Sequence, residues 1–153
     1  SGKHRGILIL DKNISITVSG TQLNENGQKL LTEVAAEGQY FERGGCRYIL
    51  YDETDPETLL VTGNTLKFKD HMLELSRRGN ITSRMVFETD KTHRTSYTTA
   101  YGTLILDIST EVMSELWSES GATIHIRYQI LAEGSLLSEN ELKIKFRNLP
   151  ATD

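Results

Sequence analysis

At 153 residues the chain has the length of one domain, enough to bury roughly two-thirds of its unfolded surface without covalent staples. Apolar residues make up 37% and charged residues 25%, which excludes a disordered chain, and a formal net charge of −4 argues against a general nucleic-acid binder. The lone cysteine, Cys46, excludes an internal disulfide framework.

In chain order, residues 1–13 read as an N-terminal extension, of which Ser1-Gly2 is taken as an expression remnant and set aside. The run Ile7-Leu8-Ile9-Leu10 falls far short of the ~20 apolar residues that cross a bilayer, and is also too short for a signal-peptide core. No membrane partner is therefore expected, and a cytoplasmic location fits best. The extension is either a further strand or an arm that pairs with a neighbouring molecule, which leaves a homodimer open.

From Ile14 to residue 149 the dominant signal is period two. Ile14-Ser15-Ile16-Thr17-Val18-Ser19 alternates without a miss, as do Ile124-His125-Ile126-Arg127-Tyr128-Gln129-Ile130 and Leu142-Lys143-Ile144-Lys145-Phe146. Alternation sends one set of side chains to a core and the other to water, the pattern of a half-buried antiparallel strand. Turn residues fall between the runs: Asn26-Gly27, Arg43-Gly44-Gly45, Arg78-Gly79-Asn80, Thr89-Asp90-Lys91, Glu119-Ser120-Gly121 and Glu133-Gly134-Ser135. The two prolines, Pro56 and Pro150, interrupt no strand. The stretches 30–36 and 112–117 also place apolar residues on one helical face, but both run directly into strands whose hairpins need long partners. Both are read as strand. The expected architecture is all-β: about 8–10 antiparallel strands in one up-and-down barrel over residues 14–149, since closure removes exposed edges.

Several residues, in order, carry a resemblance. They are Gly20-Thr21-Gln22, Glu37-Gly38-Gln39-Tyr40, Tyr48-Ile49-Leu50-Tyr51-Asp52-Glu53, Thr65-Leu66-Lys67, Arg78-Gly79 and Met85-Val86-Phe87. Tyr97-Thr98-Thr99-Ala100-Tyr101-Gly102, Thr110, Tyr128 and Ser138-Glu139-Asn140 complete the set. Together they resemble the YwiB-like bacterial proteins, a family of unknown function, over nearly all of residues 14–146. The resemblance implies a calycin-like, lipocalin-type barrel with room for an interior pocket, and no reaction. Ala100, where the family pattern has proline, and the loop at 59–62 depart from it locally.

Few residues suggest chemistry. His4, His71, His93 and His125 are far apart, with no second histidine at ligand spacing, and Cys46 has no cysteine partner, so no metal is expected. No nucleophile elbow, phosphate loop or dinucleotide fingerprint occurs, so no catalytic residue or cofactor is assigned. One belt of aromatic and hydroxyl residues stands out: Tyr48, Tyr97, Thr99, Tyr101 and Tyr128, with Arg78 at a hairpin tip over the barrel mouth. Tyrosines offer apolar area and a hydroxyl, which suits a pocket that orients a small polar ligand. Tyrosine and threonine are also simply good strand residues. The leading expectation is a non-catalytic small-ligand-binding barrel of the bacterial cytoplasm. The alternative is a protein- or RNA-interaction module that uses the basic hairpin 77–94, where Arg77, Arg78, Arg84, Lys91 and Arg94 face only Glu88 and Asp90. An enzyme ranks third.

Overall fold

Ten strands follow one another along the chain in the computed structural model, which describes residues 12–150. They are β1 (Lys12–Asn24), β2 (Lys29–Arg43), β3 (Cys46–Thr54), β4 (Val61–Lys69), β5 (Met72–Gly79), β6 (Thr82–Glu88), β7 (Thr92–Thr99), β8 (Gly102–Ser118), β9 (Gly121–Ala132) and β10 (Ser135–Asn148). Each pairs antiparallel with the next, and β10 returns to pair with β1, so the sheet closes as an up-and-down barrel. The expected fold class is therefore the observed one. The ambiguous stretches 30–36 and 112–117 are strand, inside β2 and β8. Residues 1–11 of the expected extension lie outside the described residues, and β1 is already formed at Lys12. Among the described residues no helix is long and apolar enough to cross a membrane.

The hairpins form where the turn chemistry predicts. Gly44 and Gly45, with φ of 60° and 79°, supply the two left-handed residues of the tight β2–β3 turn. One turn carries no such signal: Asp70 and His71 join β4 to β5 with φ of 48° and 65°. Short polar and imidazole side chains tolerate that region better than most, so the turn forms without glycine.

Alternation fills the barrel. Ile14, Ile16, Ile49, Leu66, Leu73, Phe87, Ile108, Ile124, Ile126 and Ile144 are fully buried along its axis. The end where β1 begins is sealed by aromatic rings. Tyr40 stacks on Phe146 at 5.6 Å between centroids, and Trp117 meets Phe68 edge-on at 5.2 Å and Phe146 at 5.7 Å. The Arg47 guanidinium covers Trp117 at 4.1 Å, a cation–π cap on the plug.

Pairing is uneven at the other end. β2 pairs with β1 along nearly its whole length, but with β3 only from Gly38 to Arg43. Beyond Gly38 the strands diverge and leave a gap in the wall. An added Cβ at Gly38 would collide with the Leu50 carbonyl oxygen, whereas one at Gly63 would meet nothing nearer than Asp52 Oδ1 at 3.6 Å. Gly38→Ala should therefore cost about 1–3 kcal/mol through forced backbone shifts, while Gly63→Ala stays within about 0.5 kcal/mol. Urea denaturation midpoints check this, and equal midpoints for the two variants would refute the close approach of β2 to β3.

Candidate functional site

The period-two pattern that buries Ile49 and Tyr51 on β3 carries on to Glu53; that of Leu73 and Leu75 on β5 carries on to Arg77; and that of Phe68 and Leu66 on β4 carries on to Asn64 and Thr62. Three strands thus deliver polar residues to the inner face near the open end. Arg77 Nη2 donates to Glu53 Oε1 at 2.9 Å and Arg77 Nε donates to Asn64 Oδ1 at 3.1 Å. Asn64 Nδ2 closes the triangle on the same Glu53 oxygen at 3.0 Å. The Arg77 and Glu53 side chains are 19% and 26% exposed, so the pair is largely desolvated but touches water.

A recess of about 590 Å³ opens beside the pair, in the gap where β2 leaves β3. Glu33, Val34 and Ala35 line one side, residues 52–56 the other, and Thr62, Arg77, Asn80 and Ile81 its floor and far rim. The size lies in the usual range for small-molecule sites. Loop 55–60 is held at the rim by its own turn: Asp55 Oδ1 accepts from the backbone N–H groups of Glu57 and Thr58 at 2.8 and 3.0 Å. Those two bonds, Thr58 foremost, hold the Asp55 carboxyl below its ordinary pKa. Two further recesses, of about 470 and 580 Å³, lie on the barrel's outer wall.

Deeper in the same half stand Tyr51, Tyr97 and Tyr128. Tyr128 packs edge-on against Phe87 at 4.8 Å. Burial pushes the Tyr128 phenol up to about 12; Tyr97 adds to the rise and Arg77 opposes it. Burial also raises Tyr51, Glu53 adding and Arg77 subtracting. Arg77 is thus within electrostatic reach of both phenols. On β10, Asn140 Nδ2 donates to Ser138 Oγ at 3.0 Å and lies 3.4 Å from the Tyr128 carbonyl oxygen.

Of the expected belt, Tyr97 and Tyr128 come together inside the barrel. Tyr48 does not join them: it lies on the outer wall, stacked on Phe41 at 4.9 Å with Lys67 Nζ 6.0 Å from its ring. Tyr101 is fully exposed at the β7–β8 turn, where its N–H donates to Thr99 Oγ1 at 3.1 Å. That bond commits the Thr99 hydroxyl to the turn. Arg78 points outward into the 580 Å³ outer recess, and its neighbour Arg77 is the inward arginine. Arg77 and Asn64, outside the expected belt, continue the inward alternations of Leu73 and Leu75 on β5 and of Phe68 and Leu66 on β4.

The basic hairpin is largely neutralised. Besides the Arg77–Glu53 pair, Arg84 meets Glu74 at 2.8 Å and Arg94 meets Asp107 at 2.9 Å. Hydrogen bonds from those arginines hold the Glu74 and Asp107 carboxyls below their ordinary range. His125 sits half-exposed beside Glu141 at 3.1 Å. Among the described residues no group of three or more His, Cys, Asp or Glu gathers as a metal site.

Comparison with known proteins adds a family and a fold. The family described as "Domain of unknown function (DUF1934)" matches residues 16–144. The crystal structure of the ywiB protein from Bacillus subtilis is similar over 92% of this chain and 94% of that one, with a TM-score of 0.79 at 18% identity. No curated protein matches.

Two outcomes test this site. Arg77→Met strands Glu53 and Asn64 in a partly dry wall and should cost about 1–3 kcal/mol by urea denaturation, whereas Arg78→Met should cost under about 0.5 kcal/mol. The buried phenols bind their protons more tightly folded than unfolded. Their contribution is complete below the ordinary phenol pKa of 10.0 and is lost as pH rises toward about 12. Tyr128→Phe should flatten that alkaline loss in a stability-versus-pH series; an unchanged slope would place the phenol in water.

Proposed function

Since the chain belongs to the DUF1934 family, whose description assigns no activity, we propose on geometric grounds that it is a non-catalytic, lipocalin-type binder of a small ligand, which enters where β2 parts from β3. The observation that carries the reading is the roughly 590 Å³ recess floored by Arg77, an arginine held inside a barrel wall by Glu53 and Asn64. A wall built only for stability gains little from a desolvated ion pair, because apolar residues of the same volume usually do as well or better. A binding wall gains a polar anchor of fixed orientation.

Binding without catalysis is favoured because the charged groups at the floor are locked to one another, with no separate base poised against a nucleophile. The interaction-module reading draws less support, as Arg77, Arg84 and Arg94 already face carboxylates. The lone, buried thiol of Cys46 supports the cytoplasm as the compartment.

Native mass spectrometry on protein purified gently from a bacterial host tests the proposal by comparing native with denatured mass. A stoichiometric extra mass of metabolite size is expected. Val34→Trp, which places an indole in the recess, should lose that mass while keeping a β-sheet circular dichroism spectrum. The same added mass on Val34→Trp would move the ligand out of this recess and overturn the assignment.

A further inference from the structure

Closure of the barrel leaves β2 with a free edge. β2 pairs with β1 from Lys29 to Tyr40 but with β3 only from Gly38 to Arg43. From Lys29 to Glu37, the backbone donors and acceptors on its β3 side therefore meet no strand among the described residues. Natural edges are commonly guarded by a proline, a bulge or shortness of the strand. β2 has none of these: it runs 15 residues without proline, and its register with β1 is unbroken.

The end of this edge stands clear of the barrel. Lys29 to Glu33 are exposed on both faces, and only from Val34 does the alternation of half-buried and exposed residues resume. Leu30 and Leu31 are thereby carried into water, 57% and 69% exposed. The other side of the hairpin is already taken, since β10 pairs with β1 up to Asn24. Leu31 lies across β1 from Thr21 and shares the outer face with Lys29 and Glu33, while Leu30 and Thr32 belong to the inner face.

This stretch is complementary to itself. Two copies of one edge pair antiparallel about a two-fold axis, where one residue faces its own copy and outer side chains meet outer ones. With Leu31 on the axis, Lys29 of each copy faces Glu33 of the other, Leu31 faces Leu31, and Leu30 faces Thr32. Opposite charges directly across a ladder stabilise it, and like charges destabilise it. Neighbouring centres lose this match. An axis at Leu30 sets Lys29 against Leu31, one at Thr32 sets Leu31 against Glu33, and one at Glu33 sets two carboxylates face to face. The doubly exposed stretch Lys29–Glu33 has the same centre, Leu31.

We propose that this edge is a homodimer interface, in which the β2 strands of two copies pair antiparallel about Leu31 and join the barrels by a continuous sheet. The pairing is independent of any ligand inside the barrel. So short a contact falls below the roughly 1,200 Å² of stable protein interfaces, so the dimer is concentration-dependent.

Sedimentation equilibrium on the full chain, from about 1 μM to about 500 μM, should show monomer passing to dimer. Lys29→Glu and Glu33→Lys each place like charges twice across the seam, and each should weaken association by about tenfold or more. Both residues are exposed, so the circular dichroism spectra of the variants should match that of the parent chain. Mixed in equal amounts, the two variants restore both opposite-charge pairs, and the mixture should associate as tightly as the parent. A monomer at every concentration would overturn the proposal and leave the edge to another occupant. Single variants that dimerise as tightly as the parent would place the interface elsewhere on the barrel. A mixture as weak as its components would overturn the pairing about Leu31.

Discussion

A closed sheet has to pair every strand on both sides, and the two longest strands here meet that demand only by changing what they do part way along. β2 serves β1 alone from Lys29 to Glu37 and is shared by β1 and β3 from Gly38 to Tyr40. β8 pairs with β7 through its first half and with β9 through its second, with a bulge between Thr110 and Val112. At each switch some backbone donors and acceptors lose their ladder. Such groups are stable only where water or side chains reach them. The β8 switch is covered by the turn after β6: Asp90 N–H donates to the Thr110 carbonyl, Thr110 N–H to the Lys91 carbonyl, and Met113 N–H to Thr89 Oγ1. The β2 switch is left open. That difference makes one end of the barrel a plug and the other a mouth.

The polar triangle follows from the mouth. Arg77, Glu53 and Asn64 occupy positions that alternation would give to apolar residues, and each needs the other two once it is out of bulk water. Their partial exposure keeps the desolvation cost below that of a fully buried pair, yet the geometry is closed enough to fix the guanidinium plane. The influence of Arg77 reaches the phenols of Tyr51 and Tyr128, lowering pKa values that burial raises. The pair thus sets the electrostatic character of the open half without giving it net charge.

Much of the fold was legible because alternation and turn chemistry are local. Ile14 to Val18, Ile124 to Ile130 and the Gly44-Gly45 turn each announce themselves within a few residues. The Asp70-His71 turn did not, since neither residue advertises a left-handed backbone. The site was half legible. Tyr97 and Tyr128 follow from strand parity, and so would Arg77 had the alternation of Leu73 and Leu75 been carried two residues further. Choosing Arg78 instead shows what period two does to a one-residue error: it moves the side chain through the wall. Tyr48 fails for a related reason. Counted from Ile49 and Tyr51 along an unbroken ladder it faces outward, where it stacks on Phe41, whereas Cys46, buried beside the turn, falls on the outer parity and misleads the count. Thr110 reads two ways: counted forward from Leu106 and Ile108 it faces inward, counted back from Met113 and Trp117 it faces outward, and the bulge before Val112 reconciles the two counts.

The split between plug and mouth also separates stability from any binding role. The plugged half concentrates the ring contacts of Tyr40, Phe68, Trp117 and Phe146, and the fully buried isoleucines extend it along the axis. Core burial of that kind sets the global stability, while groups near an open seam open locally at lower cost. An unpartnered hydroxyl such as Ser83 or Thr110 is destabilising wherever it sits, and a chain selected for stability alone has apolar residues of equal size available for both places. Both stand across the ladder from phenols, Ser83 from Tyr97 and Thr110 from Tyr128, so the cost of two unmade hydrogen bonds falls outside the ring-packed end that the stability rests on.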